Sequence, residues 1–315
     1  MYDAIVVGGG PAGITATTWL ARYRRSVLLV DAGQQRNRWV DSSHGYFSRD
    51  PASPGELLAA ASEQLAAYPY ASRRAGSVSS ARVSGDAFVV TVDGVEESAL
   101  RLILATGVED AFPQVEGFFD HYGAGVFHCP SCDGYEAEGR NVVVLGWNEY
   151  VASFALNLLD WAASVTIVTD GRSFPGDGSD LATLASFGVR VIEDVCESFV
   201  GPRGGLRAVR LRTHGEVPCE LAFFTVAHRP RGGLAELLGV TLSDEGCVLV
   251  DENGETNVPG VYAAGDVTPG MQLIQVAAAE GAVAGISAAQ SLRGTRGAPS
   301  SPEPGPDPDL VAPSE

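Results

Sequence analysis

Residues 3–7 (Asp-Ala-Ile-Val-Val) run straight into Gly8-Gly9-Gly10-Pro11-Ala12-Gly13, and after a small-residue helix ending near Tyr23 a second apolar run at 26–30 stops at Asp31. This stretch constrains the chain more than any other. Apolar runs without alternation read as parallel strands buried on both faces. The glycines let a backbone approach a pyrophosphate at a helix N-terminus, and an acid one strand later takes ribose hydroxyls. A lone Gly-x-Gly-x-x-Gly is a common turn; here strand, glycines, helix, strand and acid fall in register, which selects a dinucleotide-binding βαβ unit. The pattern restarts with Val142-Val143-Val144-Leu145-Gly146, a helix over 149–162 with Val151, Phe154, Leu158 and Trp161 near one face, and a strand over 165–168.

The expected fold class is therefore α/β, with two Rossmann-like three-layer dinucleotide-binding domains, the second inserted into the first. The domains divide as 1–115 with 246–293, the discontinuous first unit, and 116–245, the insert. At 315 residues, 45% hydrophobic, the chain is long enough for both cores. Ser53-Pro54-Gly55-Glu56 is a capping box that opens a helix over 54–67. Strands over 77–83 and 87–92, an Asp93-Gly94 turn and a return strand form an antiparallel insertion, and 101–105 is a separate buried strand. A helix over 181–187 and strands over 190–192, 207–212 and 221–226 complete the insert. Strands at 246–250 and 261–266 and a helix over 271–292 close the first unit. Residues 294–315, rich in Pro, Ser and acid, are expected to be a disordered tail. The loop over 37–50 lies along the cofactor or is a plain surface connection.

A net charge of −18 excludes nucleic acid and anionic membrane surfaces as partners, since both need a basic face. With no leader-like segment and no apolar run long enough to span a bilayer, the expected compartment is the cytoplasm. Five cysteines are then thiols by default, apart from a pair that cycles. That pair lies in Phe127-His128-Cys129-Pro130-Ser131-Cys132-Asp133-Gly134-Tyr135-Glu136. Cys-x-x-Cys closes a small disulfide ring, its thiolate is stabilised by amides at a helix start, and Asp133 behind it can move protons. The alternative is half of a structural zinc site, but Cys196, Cys219 and Cys247 offer no second close pair. No metal is expected.

The two folds, the Cys-x-x-Cys between them and the closing Ala264-Gly265-Asp266 resemble the low-molecular-weight thioredoxin reductase family of flavoproteins, over nearly the whole chain up to Leu292. The resemblance implies that the first fold binds FAD, that the insert resembles an NADPH domain, and that the protein is a homodimer. It places Gly8, Gly10, Pro11, Ala12 and Gly13 at the pyrophosphate and Asp31 at the ribose. Thr106 and Gly107 match a strand end at the flavin, and Gly265 and Asp266 match the ribityl site. It further assigns Ala32, Arg36, His44, Val78, Gln272 and Leu273 to the cofactor. Cys132 matches the thiol facing the flavin, Cys129 the outward thiol that exchanges with substrate, and Asp133 the acid-base residue.

The departures from that family are informative. A nicotinamide-binding Gly-x-Gly-x-x-Ala turn is replaced by Gly146-Trp147-Asn148-Glu149-Tyr150-Val151, and the basic clasp for a 2′-phosphate by Thr169-Asp170-Gly171. Bulk and negative charge there oppose a pyrophosphate, so NADPH is not expected to be a donor, although an acid at 170 can also signal NADH. His-Cys-Pro-x-Cys-x-Gly-Tyr-Glu, Asp31-Ala32-Gly33-Gln34-Gln35-Arg36-Asn37-Arg38 and Ser43-His44-Gly45 are similar to the branch of gliotoxin- and holomycin-type dithiol oxidases. That resemblance implies oxidation of a small-molecule dithiol to its disulfide by oxygen, with His128 as a base for the incoming thiol or as a packed residue. Two other readings stand beside it. One is reduction of a thioredoxin-like protein, with ferredoxin or NAD(P)H as donor; the other is a non-catalytic flavin-binding subunit.

Overall fold

The structure is a computed structural model, and it describes residues 1–294. Most of the expected tail therefore lies outside the described residues. β1 (Tyr2–Val7), α1 (Pro11–Arg22), β2 (Val27–Asp31), α2 (Pro54–Ala66) and β3 (Ala71–Ala75) open the chain. The capping box is formed as expected: Ser53 accepts from Glu56 N and the Glu56 carboxylate accepts from Ser53 N. Then come β4 (Val78–Ser84), β5 (Ala87–Val92) and β6 (Val95–Leu104).

β6 corrects the sequence reading, which split it into a return strand and a separate buried strand. Its first half pairs antiparallel with β5, and its second half pairs parallel with β1 on one edge and with β17 (Val261–Ala263) on the other. The side chains accordingly change from half-exposed to buried along the strand. The resulting sheet runs β3-β2-β1-β6-β5-β4, and a strand from near the C-terminal end completes it beside β6. α8 (Ile274–Ser291) lies on α1 at backbone contact: a Cβ on Gly281 would sit 2.1 Å from the Ala12 carbonyl oxygen. Only small residues on both helices permit this approach. α8 begins three residues later than expected, and 246–250 forms no strand, only a bridge between Leu242 and Val248.

β7 (Val108–Ala111), α3 (Phe118–His121), β8 (Val126–Phe127), α4 (Pro130–Asp133), β9 (Asn141–Gly146), α5 (Val151–Leu158), β10 (Ser164–Val168), α6 (Gly178–Ser186) and β11 (Arg190–Ile192) follow. β12 (Cys196–Val200), β13 (Ala208–Leu211) and β14 (Gly215–Pro218) make an antiparallel sheet, and β15 (Leu221–Thr225) returns to the parallel sheet β11-β10-β9-β15-β8. β16 (Ala227–Pro230), followed by α7 (Gly233–Leu237), pairs with β7 as a two-stranded ribbon between the two larger sheets in sequence. An aromatic cluster of Trp39, Phe112, Phe118, Tyr122 and Phe224 packs the 36–40 segment against the second parallel sheet. Among the described residues no helix is long and apolar enough to cross a membrane.

Candidate active site

The glycine turn after β1 is shaped by two opposite demands. Gly8 has φ +112°, and a Cβ there would lie 2.0 Å from the Ala105 carbonyl oxygen. The turn is thus pressed onto the β6 end and needs glycine for the fold itself. Gly10, the N-cap of α1, has extended backbone, and a Cβ on it would meet nothing within 4 Å. No side chain caps α1, so its first N–H groups face open space.

That space is a cavity of about 730 Å³, a size suited to a cofactor. Of the residues expected at a cofactor, Gly8, Gly10, Pro11, Ala12, Asp31, Ala32, Arg36, His44, Thr106, Gly107, Gly265, Asp266, Gln272 and Leu273 line it. Gly13 sits behind the turn in α1, and Val78 is half-buried in β4 against the core beside the first sheet. Neither lines the cavity.

Several walls of the cavity are held by partners that the sequence did not announce. Asp31 is buried; it accepts from Arg73 at 2.6 Å, Gln35 at 3.1 Å and Gly33 N at 2.9 Å. Arg36 makes a two-pronged contact with Asp110 at 2.6 and 2.8 Å and reaches Asp266 at 3.2 Å and Gln272 at 2.5 Å. Two carboxylates hold its charge, while burial pushes Asp266 above the usual carboxylate range. Glu280 accepts from Gly265 N at 2.7 Å and from Thr268, pinning the turn after β17. Asp110 and Glu280 carry no motif, and each acts across a separation in sequence that only the fold closes.

The other end of the cavity is formed by His128, Ser131, Cys132, Asp133, Tyr135 and Glu136. Cys129 and Cys132 are joined as a disulfide. Cys132 lines the cavity and Cys129 does not, so the two sulfurs have different surroundings. α4 is a single turn, shorter than a helix with an appreciable dipole; what it offers Cys129 Sγ is one N–H, from Cys132 at 3.1 Å. Gly134 lets the turn pass the indole of Trp161, where a Cβ would sit 2.6 Å from the ring.

Asp133 is buried, and burial together with Glu136 pushes its carboxyl up to about 7. A group that gains and loses a proton near neutrality is suited to acid-base work. His128 differs. Burial, and then Arg36, push it down to about 4, so at neutral pH it is uncharged. Its Nδ1 lies 3.1 Å from the hydroxyl of Tyr122, whose own ionisation burial drives upward. The protonated hydroxyl donates to Nδ1 in one ring tautomer and accepts from it in the other, which leaves Nε2 free to take a proton; in both, His128 is an uncharged, buried imidazole tied to Tyr122. Cys196 and Cys219 are buried and free, with thiols pushed up to about 12 by burial, so neither competes as a thiolate.

At the turn after β9 the arrangement is reversed. Asn148 Nδ2 donates to Thr225 Oγ1 at 2.9 Å and to the Val226 carbonyl at 3.2 Å, and its Oδ1 accepts from Tyr150 N at 3.1 Å, tying the turn to β15. The guanidinium of Arg172 lies 3.9 Å from the centre of the Trp147 ring and is held by Asp170 at 2.9 Å. α5 starts only at Val151. Arg172 thus covers Trp147 and neutralises Asp170, while Asn148 is satisfied by β15 and by its own turn.

The chain matches the model of the family described as pyridine nucleotide-disulphide oxidoreductase over residues 2–281. It is 30% identical over 303 residues to the thioredoxin reductase tcpT of Claviceps purpurea (strain 20.1), covering 93% of this chain and 94% of that one. Among solved structures it superposes on HlmI with a TM-score of 0.87 at 32% identity, covering 92% of each chain. It superposes on an oxidoreductase from Agrobacterium tumefaciens with 0.83 at 34% identity, covering 92% of this chain and 98% of the other.

Proposed function

The chain belongs to the pyridine nucleotide-disulphide oxidoreductase family, as an enzyme of its thioredoxin reductase-like, FAD-binding type, and from that premise we propose that it oxidises a small-molecule dithiol to a disulfide with oxygen as acceptor and without NADPH. One contrast carries the reading: an open glycine turn shares a cavity with Cys132, whereas the second turn is closed by its own side chains. The residues of the first turn fit FAD. Gly10 and the uncapped start of α1 offer room and N–H groups to a pyrophosphate, Asp31 stands at the end of β2 for a ribose, and Gly265 and Asp266 border the same cavity. We assign residues 1–115 and 246–293 to holding it.

A substrate thiolate attacks Cys129 Sγ, and the Cys129–Cys132 bond breaks. Asp133 gives a proton to the departing Cys132 sulfur. The second substrate thiol then displaces Cys129, releasing the substrate disulfide and leaving two electrons and two protons on the cysteine pair. FAD held in this cavity would supply the two-electron acceptor for the cysteine pair and the route by which electrons reach oxygen as hydrogen peroxide. Asp133 takes protons back as the pair reoxidises, so it serves both directions of transfer.

The name of the Claviceps relative, a thioredoxin reductase, favours a second reading, reduction of a thioredoxin-like protein with electrons from ferredoxin or a nicotinamide. Anaerobic titration of the purified flavin-loaded protein separates the two. A small dithiol bleaches the flavin rapidly and NADPH and NADH do not, with peroxide appearing on aeration; rapid bleaching by micromolar NADPH overturns the oxidase reading.

A further inference from the structure

Behind the disulfide, Asp133, Glu136 and His44 each bring one atom into a group within 4.8 Å of one another. Asp133 is 5% exposed. Glu136 is 31% exposed, yet its Oε2 is buried and has no hydrogen-bond partner among the described residues. The negative charge of Glu136 close to buried Asp133 favours the protonated form of the Asp133 carboxyl. Glu136 Oε1 lies 3.4 Å from His44 Nε2, and His44 Nδ1 lies 3.4 Å from Asp50 Oδ1, which is 54% exposed. The line from the disulfide to solvent is therefore Asp133, Glu136, His44, Asp50. The charged groups facing His44 are these carboxylates, from its own loop and from the turn after α4. Arg36, which also lines the cavity, is engaged by Asp110 and Asp266.

We propose that Glu136, His44 and Asp50 form the proton path between buried Asp133 and solvent, with His44 as the positioning residue whose two ring nitrogens pass the proton on. The proposal rests on the dithiol reading above. Each turnover leaves two protons on the cysteine pair, and they must leave when the pair is reoxidised. Asp133 can hold one at a time and is closed off from water. An imidazole accepts at one nitrogen and releases from the other, and contacts of 3.4 Å are closed by a small side-chain rotation. His44 was expected at the cofactor, and it does line the cavity, but both of its nitrogens face carboxylates.

The test uses the full flavin-loaded chain and His44→Gln, mixed anaerobically with dithiothreitol from about pH 5.5 to about 9, a range that brackets the ordinary histidine pKa. Samples are quenched with an alkylating agent, and labelled Cys129 and Cys132 are counted by mass, a readout that does not depend on turnover. In His44→Gln the reduction of the pair slows by about tenfold. Its pH profile changes shape, and millimolar imidazole restores the rate; Asp50→Asn shows the same change more weakly. A His44→Gln rate equal to wild type at every pH overturns the path, and so does a slower rate with an unchanged profile and no rescue. A wild-type pair that dithiothreitol fails to reduce overturns the dithiol reading instead, and the two failures are distinguishable because one appears only in the variant.

Discussion

The β1–α1–β2 and β9–α5–β10 units are built alike, from an apolar strand, a turn, a helix and a second apolar strand paired in parallel register, and their turns have opposite fates. After β1 the backbone is packed on Ala105 at Gly8 and bare at Gly10, so the helix start is left for a ligand. After β9 the same position is occupied by protein: Asn148 bonds to β15, and Trp147 is covered by Arg172. Strand burial holds both units in place, since Val142–Leu145 is as buried as Ala4–Val7. Fold and ligand site are therefore separable: apolar strands secure the first, and a few turn side chains decide the second.

The largest expected effect comes from closing the open turn. Gly10→Leu places a side chain where no protein atom lies within 4 Å, so the variant folds and its ligand-free melting temperature stays near that of the ligand-free wild type. Flavin affinity should fall by about a thousandfold, a little over about 4 kcal/mol. Gly8→Ala, by contrast, collides with backbone and should not accumulate as folded protein. Yellow Gly10→Leu carrying stoichiometric flavin breaks the comparison at its first term.

What the sequence made legible follows the same division. Repeated βαβ units, the Ser53 capping box and the cysteine pair were readable because each is local and periodic. β6 was misread because its pattern changes halfway, from one buried face beside β5 to two beside β1 and β17. β7 and β16 escaped notice because Val-Glu-Asp-Ala and Ala-His-Arg-Pro have no apolar period to detect. Most of the expected cofactor residues do meet at one cavity, Val78 and Gly13 being set back from it. The partners that set its electrostatics were not legible, since Asp110 lies 74 residues from Arg36 and nothing in either sequence context pairs them.

Asp133→Asn gives the next effect, at the junction of the two units. Without the proton carrier, reduction of the cysteine pair should slow by about a hundredfold, seen in stopped-flow flavin bleaching by a dithiol. Stability should move the other way, with a definite sign. The Asp133 carboxyl holds its proton up to about 7 in the folded chain, well above an unfolded aspartate, so the wild type loses stability as pH rises from about 4 through about 7. The amide that replaces the carboxyl cannot ionise. Thermal melts should show the variant gaining on wild type at about pH 8 and not at about pH 4, on either side of that window; equal offsets at both pH values would mean that Asp133 is an ordinary solvated carboxylate.

The smallest effect is expected where the second turn is opened. Trp147→Ala removes the ring beneath Arg172, a contact with a guanidinium that is half in water, and should cost about 0.5–1 kcal/mol, read as a melting shift of about 1–3 °C. The larger question is what the vacated space does. Asn148 still ties the turn to Thr225 and Val226, Asp170 still presents a carboxylate, and α5 still begins at Val151, beyond the position where a pyrophosphate would need its amides. On the proposed oxidase reading, Trp147→Ala should be as unreactive with NADPH as the wild type, and adding Asn148→Gly should loosen the turn without producing rapid flavin bleaching. Fast bleaching in Trp147→Ala alone would mean that the second site is merely covered by its tryptophan, and the separation between a unit that binds and a unit that only folds would reduce to one side chain.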